Sequence, residues 1–210
     1  RVLFRSNKMK GSIMKKLMTL ALATMAFAMV HAADSYFRVD VDGQKEQIEL
    51  KSTPGTGMKA SPMGWIKDEA KRKCTVTSWM PEKLSADKWK NCELTFVPSK
   101  SGTVTIGIRG QYAAKPENRG WIVVNNMKLN DELHTNGDFK KTWKTKEGKI
   151  IPKGFWLGGK SFYLVNGGEN ETPAIMVNHD NGSYSSMKVE AGKSYKLSFS
   201  VKAGTPDQLK

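Results

Sequence analysis

The chain has 210 residues, with 34 lysines and arginines against 20 acidic side chains and a formal net charge of +14. Length alone admits one large domain or two small ones. The basic excess does not point to nucleic acid: no groove-reading motif accompanies it, and six of the basic residues but none of the acidic ones fall in the first 32, leaving +8 beyond them.

Arg1 to Ser6, RVLFRS, resembles the translation of a sequencing adapter, which puts the expected start of translation at Met9 or Met14. From Met14 the chain reads MKKLMTLALATMAFAMVHA. Lys15 and Lys16 give a positive start, Leu17 to Val30 is uncharged and mostly apolar, and Val30-His31-Ala32 suits a signal-peptidase cut. The apolar run is shorter than the roughly 20 residues a spanning helix needs, and no Cys follows it to carry a lipid anchor. Residues 1–32 are therefore expected to be adapter-like sequence plus a secretory signal, with a mature chain from Ala33 that has no membrane span. The expected location is the medium, the cell surface or the periplasm.

Beyond Ala33, alternation dominates and helical periodicity is scarce. In chain order the predicted strands are SYFRVDV, QIELK, CTVTSWM, CELTFVP, TVTIGIRG and WIVVNNMKL, then, past Asn130, AIMVNH, YSSMKVEAG and SYKLSFSVKAG. Short helical turns are predicted at IKDEAKRK (Ile66 to Lys73) and PEKLSADKW (Pro81 to Trp89). Turn signals at Asp42-Gly43, Asn136-Gly137, Asn166-Gly167-Gly168 and Asp180-Asn181-Gly182 separate the strands. Parity gives each strand one dry side. Cys92, Leu94 and Phe96 share a face, as do Tyr195, Leu197, Phe199 and Val201, with Glu93, Thr95, Lys196, Ser198 and Ser200 opposite. The expected class is all-β, a sandwich or jelly roll.

The run WKNCELTFVPSKSGTVTIGIRG, closed by WIVVNNMKL, resembles the second half of a carbohydrate-binding-type jelly roll of the galactose-binding-like superfamily. ELHTNGDF resembles the opening strand of such a module, and GFWLGG with MKVEAGKSYKLSFSVKAG resembles its middle. The resemblance implies two tandem modules, 33–130 and 131–210. Laying CTVTSWM on YKLSFSV puts Lys210 opposite Trp89, so the second module is expected to lack about 40 residues and to be unstable as it stands. The first module departs from the pattern: it lacks an NGDF-like opening, and Asn125-Asn126 stand where the superfamily often has an acid, which weakens any inherited calcium site.

Catalytic patterns are missing. His134 and His179, the two histidines beyond the leader, have no nucleophile motif beside them and read as turn or surface residues. Acids such as Asp40, Asp42, Glu46 and Glu49 lie in polar strands and turns, and nothing marks a facing pair. The expectation is no enzyme in these residues and no cofactor. A structural calcium would draw on Asn178 to Gly182 or on Asn136 and Asp138, but the first stretch lacks a later bidentate acid and reads rather as a hairpin turn. Cys74 and Cys92 leave open a structural disulfide or two buried thiols.

Aromatic residues carry the remaining signal. Sugar rings stack their C–H faces on indole and phenol rings, and their hydroxyls bond to polar side chains. Tyr112, Trp143, Trp156 and Tyr163 lie in polar, Gly-rich stretches and are the candidate stacking residues; Trp89 and Trp121 read as core. The resemblance thus implies a non-catalytic pair of modules that target a larger extracellular protein to polysaccharide or a cell-surface glycan. Two alternatives stay open: a structural or adhesive sandwich without a sugar site, and accessory modules of a glycoside hydrolase whose catalytic domain lies elsewhere.

Overall fold

A computed structural model describes residues 35–205 apart from 147 and 158–162. The expected adapter and signal segments lie outside the described residues. Fifteen strands follow in chain order: β1 (Phe37–Asp42), β2 (Leu50–Pro54), β3 (Lys59–Ala60), β4 (Thr75–Trp79), β5 (Lys90–Pro98), β6 (Gly102–Gly110), β7 (Ile122–Leu129) and β8 (Glu132–Leu133). They continue as β9 (Thr142–Lys144), β10 (Ile150–Pro152), β11 (Trp156–Leu157), β12 (Tyr163–Val165), β13 (Ala174–Val177), β14 (Ser183–Val189) and β15 (Tyr195–Ala203). One helix, α1 (Glu69–Lys73), falls inside the predicted IKDEAKRK turn and is capped by Asp68, whose carboxylate accepts from Ala70 N–H at 3.0 Å. Among the described residues no helix is long and apolar enough to cross a membrane.

The strands form an antiparallel β-sandwich. One sheet runs β11-β14-β6-β1-β4-β3, and the other runs β12-β13-β7-β15-β5-β2 with β8 folded onto β7. The β9–β10 ribbon forms a two-stranded sheet of its own. Dry sides are those that parity names. Phe37, Val39 and Val41 of β1 face Leu94, Phe96, Leu197 and Phe199 of the opposite sheet within a single buried cluster. Phe37 meets Phe199 edge-on across the core, ring centroids 5.6 Å apart, and Phe96 stacks on its cross-strand partner Tyr195 at 5.5 Å. Each such side chain, once buried, contributes about 1.5–3 kcal/mol.

The division into tandem modules at Asn130 is corrected by the pairing. β15 lies between β7 and β5, and β14 lies between β11 and β6, so strands from both supposed modules share both sheets. The described residues make one compact unit. The apparent junction is a tight hairpin: Asn130 and Asp131 take left-handed φ values of 50° and 69°, and Glu132 and Leu133 pair back on Leu129 and Lys128. The NGDF stretch then lies against β7, where Met127 N–H donates to Gly137 O at 3.0 Å. A Cβ on Gly137 would stand 1.9 Å from the Met127 carbonyl oxygen, so this close approach requires glycine. An expected half-module is thus the second part of one sandwich.

Two smaller expectations also change. PEKLSADKW forms no helix, because its backbone is used at the sheet ends: Leu84 N–H donates to Ser35 O at 3.0 Å, and Ser85 O accepts from Ala203 N–H at 2.9 Å. Cys74 and Cys92 are free buried thiols rather than a disulfide. They do not lie on neighbouring strands. Cys74 precedes β4 in one sheet, while Cys92 sits in β5 of the other, its sulfur beside Gly57 and the Met80 methyl. Burial pushes the Cys92 thiol up to about 12 and raises Cys74 as well.

Candidate functional site

The outer, wet side of the six-stranded sheet carries the densest set of aromatic and charged groups. Alternation along β1 puts Arg38, Asp40 and Asp42 outward while Phe37, Val39 and Val41 face the core. Register then aligns the neighbours. Thr77 of β4 and Gly107 of β6 flank Asp40, Tyr184 of β14 lies opposite Gly107, and Trp156 of β11 lies opposite Tyr184. One row therefore crosses five strands as Trp156, Tyr184, Gly107, Asp40 and Thr77. The adjacent row holds Arg109, Arg38, Trp79 and Lys59.

Gly107 lets Tyr184 lie down. A Cβ there would come within 2.7 Å of the Tyr184 ring, so the bare backbone is the seat on which the ring rests. Trp156, on the next strand, lies beside that ring with its centroid 6.2 Å away and its plane inclined by 23°. From the opposite end, the loop between β3 and α1 brings Trp65 over Arg38, whose guanidinium carbon lies 4.8 Å from the indole centroid. Trp65 is half exposed. It borders two adjoining hollows, one of about 410 Å³ with Trp79, Gln111 and Tyr112, the other of about 210 Å³ with Asp40, Arg109 and Tyr184.

Asp40 organises the charges. Its carboxylate accepts from the Thr77 hydroxyl at 2.6 Å and pairs with Arg38 Nε at 3.2 Å and Arg109 Nε at 3.8 Å. Arg109 in turn donates through Nη2 to the Tyr184 hydroxyl and lies 5.6 Å from that ring's centroid. Burial lowers the Arg38 pKa, with Asp40 acting in the opposite sense and Arg109 adding to the fall. Asp42 is tied down separately, accepting from Gln44 N–H at 2.8 Å. Two guanidinium groups thus share one carboxylate, with Asp42 further along the same strand.

The sequence candidates divide between this face and other places. Tyr112 stands at the rim of the larger hollow, 62% exposed, with the Arg119 guanidinium 5.1 Å from its ring and His179 edge-on at 5.1 Å. Trp156, 44% exposed, belongs to the row. Trp143 is 50% exposed on the separate β9–β10 ribbon. Tyr163 packs edge-on against Trp121 at 5.4 Å, beside the small apolar cluster of Val123, Val165, Ala174 and Met176. Trp65, Tyr184, Arg38, Asp40 and Arg109 are the site residues that sequence reasoning missed as a set. The one signal for them is FRVDVD, an outward Arg-Asp-Asp series on a strand with a fully apolar inner side.

The two stretches weighed for calcium are turns whose side-chain oxygens accept from N–H donors. Asn178 Oδ1 accepts from Asp180 N–H at 3.0 Å and from Asn181 N–H at 2.9 Å, which makes NHDNG an Asx turn. Asn136 Oδ1 accepts from Lys141 N–H at 3.0 Å, and Asp138 pairs with Lys140 at 3.4 Å.

His134, expected in a turn or at the surface, is buried, with Nε2 2.9 Å from Ser185 Oγ. Burial holds its pKa below the ordinary 6.5. The unfolded chain takes up a proton below about pH 6.5 that the folded chain resists, so this group's contribution to stability is complete above that pH and is lost as the pH falls. Thermal melts at about pH 7.5 and about pH 5.5 should show a lower Tm at the acid end, and His134→Gln should shrink that difference.

No family model, curated protein or solved structure matches this chain, which leaves the outer face of the six-stranded sheet as the ground for a functional reading.

Proposed function

We propose that the protein is an exported, non-catalytic carbohydrate-binding sandwich of jelly-roll type, similar to galactose-binding-like modules, and that it holds a larger extracellular protein on polysaccharide. The observation that carries this reading is the row from Trp156 through Tyr184 to Asp40, with Trp65 raised at its other end. Sugar rings present apolar C–H faces to Trp65, Tyr184 and Trp156, while their hydroxyls take hydrogen bonds from Arg38 and Arg109 and give them to Asp40. Because Asp40 lies between the two arginines and Asp42 lines the smaller hollow with it, the face carries both signs of charge and suits a neutral polymer. Two adjoining hollows bordered by Trp65 suit consecutive sugar units. The extended shape favours binding along a chain.

Affinity electrophoresis through a panel of neutral and acidic polysaccharides tests the reading. One neutral polymer should retard the protein, and Trp65→Ala or Tyr184→Ala should weaken that retardation at least about tenfold, the loss typical of a central aromatic contact. Gly107→Ala should do the same through Tyr184 alone, since the new methyl lifts the ring from its seat. Retardation by acidic polymers only, abolished by salt, would show charge attraction without a site. No retardation of the folded protein would leave a structural or adhesive sandwich.

A further inference from the structure

The β9–β10 ribbon has no part in the outer-face site and is unlike the rest of the surface. Between Phe139 and Gly154 the chain carries six lysines (Lys140, Lys141, Lys144, Lys146, Lys149 and Lys153) and a single acid, Glu147. All six lysines are exposed. Among the described residues the ribbon's strands pair with each other alone, Thr142 with Pro152, Trp143 with Ile151 and Lys144 with Ile150, and the ribbon closes where Thr145 N–H donates to Lys149 O at 2.8 Å. Set among the lysines are two large apolar side chains open to water, Trp143 at 50% and Ile150 at 56% exposure. Alternation places them on opposite faces of the ribbon, Trp143 with Ile151 and Ile150 with Lys144.

We propose that this ribbon docks the protein on an anionic phospholipid surface. Lysines are drawn to lipid phosphates, each contributing about fivefold to partitioning. Trp favours the interfacial layer, where its ring is half in and half out of water. The choice of lipid over an acidic polysaccharide follows from the two faces. A polysaccharide strand laid on the ribbon covers one face and leaves either Trp143 or Ile150 in water. A fluid headgroup layer entered edge-on closes around both. The inference is independent of the outer-face site and uses none of its residues; Trp143, a stacking candidate by sequence, lies on the ribbon away from that row.

The test is sedimentation with vesicles, using the chain from Ala33, since every described strand finds its partners within residues 35–205. Vesicles of phosphatidylcholine with about 30% phosphatidylglycerol should carry the protein down, and pure phosphatidylcholine should not. Lys141→Gln, Lys144→Gln and Lys146→Gln together should lower partitioning roughly a hundredfold. With all lysines kept, Trp143→Ser and Ile150→Ser together should also weaken it, a loss that charge attraction alone does not produce. All five positions are exposed, so an unchanged thermal melt should accompany both variants. The proposal is overturned by any of three results: no sedimentation with the anionic vesicles, sedimentation that survives the triple lysine variant, or binding to polygalacturonate without binding to vesicles.

Discussion

A chain ended at Asn130 will give no cooperative thermal transition. Such a chain keeps β1 to β7 but loses β15, the strand that joins β7 to β5, and β14, the neighbour of β6. With β15 go Tyr195, Leu197, Phe199 and Val201, all buried, and with β13 and β14 go Ile175, Val177, Met187 and Val189 of the same cluster. At about 1.5–3 kcal/mol for each fully buried side chain, the loss matches or exceeds the whole stability of an ordinary domain, about 5–15 kcal/mol. Both edges left behind, on β5 and β7, would present unpaired N–H and C=O groups beside bare apolar faces. Far-UV circular dichroism on heating is the measurement. A sharp melt from the shortened chain would restore the reading of two independent modules.

Asp40→Ala should cost about 2–3 kcal/mol, far more than an ordinary surface substitution. Its carboxylate is only 14% exposed and is the shared partner of Arg38 and Arg109, which sit directly opposite each other on β1 and β6. Without it, two half-buried guanidinium groups repel across the strands, and the Thr77 hydroxyl loses its acceptor. Asp40→Asn keeps an oxygen for Thr77 and should recover about 1 kcal/mol of the loss, the worth of a single hydrogen bond. Urea midpoints of the two variants separate the contributions. Equal stability of Asp40→Ala and the parent would mean that the arginines do not depend on this carboxylate, and the outer face would then be a plain solvated surface.

Eight of the nine strands predicted from alternation are present over most of their length, because a strand with one buried side writes its own period into the chain. QIELK is strand only at Leu50 and Lys51, since Gln47 closes a 3-10 turn in a left-handed conformation and the strand runs on to Pro54 instead. Leu94 and Phe96, or Leu197 and Phe199, could face nothing but a core. Partnership is another matter. CTVTSWM and YKLSFSV look alike as sequences, yet β4 and β15 belong to different sheets, since a pattern of alternation is the same whichever strand lies alongside. The Asn130-Asp131 turn illustrates the same point: a hairpin and a junction between domains share their turn chemistry. Short strands such as β8 to β12 carry too few residues to show a period at all. As for the site, Tyr112 and Trp156 were legible as aromatics in polar surroundings. Arg38 and Asp40 were not, because an outward charge on a strand is ordinarily solvated, and only the register that sets Tyr184 over Gly107 and Trp65 over Arg38 turns that side into a surface with form.

The pairing of β5 with β15 also governs how the protein comes into being. Cys92 and its partner Phe199 are separated by roughly half the chain. At a synthesis rate of about 5–20 residues per second, some 5–20 s pass between the appearance of the first strand on the ribosome and that of the one that completes its sheet. Contacts of such long range also slow the final search, as they do in other all-β sandwiches. Until β15 appears, the apolar face of β5 lacks its neighbouring strand, so the nascent chain is a client for any factor that holds unfolded chains, and the sandwich closes only once β15 has been made.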